Sequence, residues 1–66
     1  MQIILNGSPR ELAQELSVAE LLQQEQLADK RVAVELNGDI VPRSRHADQP
    51  LRAGDRVEIV HAIGGG

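Results

Sequence analysis

Asn-Gly stands twice directly behind an apolar run, at Asn6-Gly7 and at Asn37-Gly38. Both residue types tolerate φ > 0, so the pair closes tight two-residue turns between antiparallel strands. The first pair follows Gln2–Leu5 and predicts a second strand starting near Pro9 or Arg10. The second, extended by Asp39, follows Val32, Val34 and Leu36, which alternate with Ala33 and Glu35 at a period of two. Ile40-Val41 then reads as a short strand ended by Pro42. After the turn Ala53-Gly54-Asp55, residues 56–63 form the last strand, with Val57 and Ile59 facing the core. Val60 and Ile63 break the strict alternation and leave apolar groups near the end of the chain.

The stretch from Pro9 to Gln26 carries two competing signals. Ser8-Pro9-Arg10-Glu11 has the S-x-x-E capping pattern with proline at the first helical position, and Leu12, Leu16 and Ala19 follow at helical spacing. Ser17-Val18-Ala19-Glu20 is a second capping box ahead of Leu21 and Leu22. One helix over 9–26 satisfies the first signal; a strand followed by a helix from Val18 satisfies the second. Inside a long helix Ser17 would have no free N–H to cap, which favours strand then helix. The order is then strand, strand, helix, strand, short strand, strand, and one helix across one mixed sheet buries these faces most economically.

Sixty-six residues make one small domain, which buries only about 60% of its unfolded surface. With no aromatic residue, its core must be built from Ile, Leu, Val and Ala. With no cysteine, there is no disulfide framework, no thiolate nucleophile and no cysteine zinc site, which fits a cytoplasmic protein. Net charge is −3, with five acids against three bases before Val32 and five against four from there on. Neither half is basic and nothing can stack on a base, so a nucleic-acid partner is not expected. No apolar run approaches the roughly 20 residues of a membrane span, and the opening lacks the basic start of a signal peptide.

The last residues are Ile63-Gly64-Gly65-Gly66. Glycine has no Cβ, so such a run can lie extended in a channel too narrow for other residues. It also leaves the terminal carboxylate unhindered. Frayed ends and linkers share this composition, so the run gains meaning only from its context.

That context is a resemblance. Met1–Gly7, Ser17–Leu22, Val32–Arg43 and Leu51–Val60 followed by Gly65-Gly66 resemble the thiamine-biosynthesis sulfur-carrier proteins over essentially the whole length. The resemblance implies an α+β fold of the β-grasp, ubiquitin-like type: a mixed sheet of four to five strands with one principal helix packed across it, the first and last strands being parallel neighbours. It implies a β-grasp domain over 1–63 and a flexible glycine tail over 64–66. It also implies the chemistry. The carboxylate of Gly66 is ionised at neutral pH and a poor electrophile until activated. An E1-like partner adenylates it with ATP, and sulfur from a sulfur-donating protein replaces AMP to give a thiocarboxylate. That group delivers sulfur to thiazole synthase. Gly64 and Gly65 would give the end access to both active sites. The chain would be a protein co-substrate and not an enzyme, with no cofactor or metal of its own.

The sulfur-carrying subunits of molybdopterin synthase are also similar but often approach the diglycine through prolines; His61-Ala62-Ile63 here favours the thiamine branch. A ubiquitin-like module that binds without chemistry at its end is the alternative from another class. Beyond the tail no catalytic set is apparent. Ser17 reads as a helix cap, Glu11 and Glu15 as a solvated face, and His46, beside Arg43, Ser44 and Arg45, as a solvated loop histidine. His61 reads as a solvated or partly packed strand histidine. Arg43, Arg45, Arg52 and Arg56 read as ordinary surface charge rather than as a docking patch for an acidic partner surface. Val60 and Ile63 are candidate docking residues if exposed and simple core residues if not.

Overall fold

Asn6 at φ 49° and Gly7 at φ 84° close the first hairpin, and Asn37 at φ 52° and Gly38 at φ 91° close the second. Left-handed backbone at both central positions matches the right-handed twist of the strands they join. In the computed structural model, which describes residues 1–61, these turns separate β1 (Gln2–Leu5) from β2 (Ser8–Glu11) and β3 (Val32–Leu36) from β4 (Asp39–Val41). The last strand, β5, is described over Arg56–His61; Ile63 and the glycines 64–66 lie outside the described residues.

The strands form one five-stranded sheet in the order β2-β1-β5-β3-β4. β1 and β5 are parallel, with Ile4 opposite Arg56 and Leu5 opposite Val57. The other pairings are antiparallel, so the first and last strands meet as parallel neighbours and β5 lies at the centre.

Ser8–Glu11 is strand, which rules out a helix running through 9–26. Pro9 sits on an outer strand, where its missing N–H costs no ladder bond. The helix α1 is Val18–Gln24, capped by Ser17. The Glu20 backbone N–H donates to Ser17 Oγ at 3.1 Å and the Ser17 N–H donates to Glu20 Oε1 at 2.8 Å. Leu12 and Leu16 lie in the connection before that cap and yet are buried. Their spacing of four copies a helical face, but Leu16 is held by its carbonyl, which accepts from the Leu51 N–H at 2.8 Å. The Val18 N–H likewise donates to the Gln49 carbonyl at 2.8 Å, so residues 49–51 strap the helix entry.

One face of the sheet carries the core. Ile3 and Leu5 of β1, Val34 of β3, and Val57 and Ile59 of β5 pack with Val18, Leu21 and Leu22 of α1 and with Leu12, Leu16 and Leu51. Each large aliphatic side chain removed from water contributes roughly 1.5–3 kcal/mol. Arg10 is opposite Ile3, on the helix side of the sheet, and its guanidinium ion-pairs with Glu25 at the end of α1, which ties the first hairpin to the helix.

Residues 43–48 correct the sequence reading. They form a 3-10 helix packed against α1, and His46 is buried within it, not solvated. Its Nε2 lies 3.0 Å from the Val41 carbonyl, which accepts the hydrogen bond. A polar ring is tolerated there because its buried nitrogen is satisfied by backbone.

Candidate functional site

β5 delivers the chain to its glycine run, so the surroundings of its last residues define the site. Along β5, Val57 and Ile59 are buried while Arg56, Glu58, Val60 and His61 are exposed. Val60 is 55% exposed, which removes the reading of it as a core residue. Ile63, the other candidate docking residue, and Gly64, Gly65 and Gly66 lie outside the described residues.

Val60 belongs to the face of the sheet that α1 does not cover. Its neighbour across the ladder is Ala33, half-buried on β3. The next row of the same face holds Glu58 opposite Glu35, and Glu35 in turn opposite Ile40 of β4. Among the described residues, Ile40 and Val60 are the large apolar residues left exposed, at 61% and 55%. They flank two carboxylates that face each other directly, an arrangement that disfavours the sheet by a few tenths to about 1 kcal/mol. Among the described residues neither Glu35 nor Glu58 has an ion-pair partner. Of the four arginines singled out in the sequence, Arg43 and Arg45 sit on the 3-10 helix, Arg52 in the connection before β5 and Arg56 on β5.

Sequence reasoning missed the role of Asn6. Its turn geometry is legible, but its side chain also accepts from the Ile59 N–H at 2.8 Å, across 53 residues of chain. Asn37 does the same at the other end of the strand, accepting from the Arg56 N–H at 2.9 Å and donating to Asp55 Oδ1 at 3.1 Å. The two hairpin turns thus cap N–H groups of β5 that lie just beyond regular pairing. Only the register places these side chains beside β5, so no local pattern could have shown it.

The surface depressions are shallow and open; one of about 410 Å³ is lined by Glu35, Asn37, Gly38, Arg56 and Glu58, without a nucleophile and base in reach of each other. Among the described residues no group of three or more His, Asp or Glu side chains is placed to hold a metal, and no helix is long and apolar enough to cross a membrane. What the site offers is an exposed apolar surface beside a strand that leads to three glycines.

The model of the ThiS family matches residues 3–66. The chain is 39% identical over 66 residues to the thiazole synthase of Paramagnetospirillum magneticum; the match takes in 100% of this chain and 20% of that protein. The chain therefore spans about a fifth of the length of the thiazole synthases it resembles. It is 33% identical to the sulfur carrier protein ThiS of Escherichia coli over 66 residues, 100% of both chains. The crystal structure of the thiamine biosynthesis protein ThiS from Geobacter metallireducens superposes with a TM-score of 0.87 at 36% identity, covering 100% of both chains.

Proposed function

Because this chain belongs to the ThiS family, we propose that it is a sulfur carrier in thiamine biosynthesis whose working group is the carboxylate of Gly66. The observation that carries this reading is a β-grasp body, similar along its full length to a sulfur carrier protein, that leads through β5 to Gly64-Gly65-Gly66. As a sulfur carrier of this family the chain acts as a co-substrate, and its partners supply the catalysis.

The Gly66 carboxylate attacks the α-phosphorus of ATP in an E1-like enzyme, forming an acyl adenylate and releasing pyrophosphate. A sulfur nucleophile from a sulfur-donating protein attacks the acyl carbon and expels AMP. When the sulfur arrives as a persulfide, the product is an acyl disulfide; a thiol attacks its donor-side sulfur, forms a disulfide with the donor and releases the thiocarboxylate. This group passes its sulfur to thiazole synthase, which builds the thiazole ring. Glycine suits each step because nothing hinders the acyl carbon, and Gly64 and Gly65 let the end enter a narrow channel. The use of ATP fits a cytoplasmic setting. Val60 and Ile63 serve as the apolar grip by which partners hold the body while the end reacts.

The test is reconstitution. Thiazole synthase, the E1-like enzyme, ATP, a sulfur donor and the synthase's other substrates are combined with and without this chain. Thiazole that forms only when the chain is present supports the proposal. Sulfur loading without thiazole formation points to the molybdopterin type of carrier, and no loading at all points to the binding module.

A further inference from the structure

The ladder around β5 is two-sided at its start and one-sided at its end. The Asn37 N–H donates to the Arg56 carbonyl at 2.8 Å, so residue 56 turns its backbone groups toward β3. In an antiparallel register with Glu35 opposite Glu58 and Ala33 opposite Val60, residues 58 and 60 do the same. Residues 57, 59 and 61 turn theirs the other way, toward β1. The Val57 carbonyl accepts from the Asn6 N–H at 2.9 Å, and the Ile59 N–H is taken by the Asn6 side chain at 2.8 Å. There β1 ends. Its pairing with β5 extends only to Leu5 and Val57, and Asn6-Gly7 turns the chain back into β2.

The Ile59 carbonyl and the His61 N–H therefore point into the lane that β1 has vacated. Among the described residues no backbone or side-chain group meets them. This half-edge lies in the middle of the sheet, beside exposed Val60, and it runs directly toward the glycine segment. Isolated edges of this kind are templates for strand addition, because main-chain groups in extended geometry are met best by another extended segment.

We propose that thiazole synthase docks here by laying an extended segment of its own into the vacated lane, donating an N–H to the Ile59 carbonyl and accepting from the His61 N–H, with an apolar side chain beside Val60. This deepens the carrier reading and rests on it. Strand addition at this position fixes the end of β5 in the extended form immediately before the glycines, so the partner grips the backbone that leads into its own active site. The free edges at β2 and β4 are far from the chain's working end in strand order and offer no such continuity.

Residue-resolved hydrogen exchange on the unmodified chain, alone and with thiazole synthase, tests this. In the free chain the His61 amide should exchange nearly unprotected while Glu58 and Val60, bonded to β3, are protected. In the complex the His61 amide should slow by about tenfold or more. As a second measure, His61→Pro removes the N–H without touching a ladder bond to β3, whereas His61→Ala keeps it. The His61→Pro chain should bind the synthase about three- to tenfold more weakly than the His61→Ala chain, and equal binding of the two counts against strand addition. A His61 amide already slow in the free chain, or unchanged in a complex that forms, overturns strand addition and leaves the carrier reading standing. If no complex forms and no sulfur reaches the synthase, the carrier reading fails and this proposal fails with it.

Discussion

At Val57 the central strand has β1 on one side and β3 on the other, and its side chain is fully buried; at His61 it has β3 alone and its side chain is exposed. The two regions are four residues apart. The first is built as a body is built, from aliphatic packing and complete backbone pairing. The second has an exposed Val60, an open lane and a pair of facing carboxylates in the row before it. The difference teaches that, in the proposed carrier, fold and function separate along one strand: packing is complete at the start of β5 and backbone is left open at its end. Changes at the two ends should therefore have different consequences.

The largest effect is expected where the body is untouched. One residue added after Gly66 turns the acyl group into an ordinary amide, and sulfur loading should be lost completely while the thermal midpoint stays within a degree or so of the parent. A fall in stability with that extension would break the separation. Within the body, Ile3→Ala removes a side chain that is 0% exposed in the core and should cost about 2–5 kcal/mol in denaturant unfolding. In so small a domain that is a large share of the total. Any of this variant that remains folded should still load sulfur at the parent rate.

Asn6 sits between the two regions, and its substitutions sharpen the boundary. Asn6→Gly keeps the left-handed turn and loses only the bond to the Ile59 N–H, at a cost of about 1 kcal/mol. Asn6→Ala adds the strain of a left-handed alanine and should cost about 1–2 kcal/mol more. Equal effects of the two would mean that the side-chain bond, not the turn, dominates. The smallest change runs the other way. Glu58→Gln relieves the repulsion with Glu35 and should stabilise the chain by a few tenths of a kcal/mol in chemical denaturation. A loss of stability would show that the paired carboxylates are compensated by a neighbour.

The body was largely legible in the sequence because its signals are local. The two Asn-Gly turns, the alternation of Val32 to Leu36 and the Ser17–Glu20 box each act within a few residues, and each appears where expected. The β-grasp order came from resemblance, since alternation alone does not say which strands pair. What was not legible depends on tertiary neighbours. Leu12 and Leu16 mimic a helical face, but Leu12 is held by the backbone of Met1 and Leu16 by the 49–51 segment. His46 looked solvated because polar company surrounds it in the sequence, while in the fold it is turned inward onto the Val41 carbonyl. Asn6 showed its turn but not its reach to Ile59. Of the candidate site, the sequence offered Gly64, Gly65, Gly66, Val60 and Ile63; the fold adds that Val60 is exposed and that the strand beneath it is open on one side.

The central claim is that Gly66 is the group on which the chain's chemistry occurs. Intact-mass spectrometry with terminal-peptide fragmentation, after incubation with the E1-like enzyme, ATP and a sulfur source, tests it most directly. The expected result is a mass gain equal to the exchange of one oxygen for one sulfur, confined to the fragment ending in Gly66. An unchanged mass with an enzyme shown to load another sulfur carrier, or a gain located elsewhere in the chain, would contradict it.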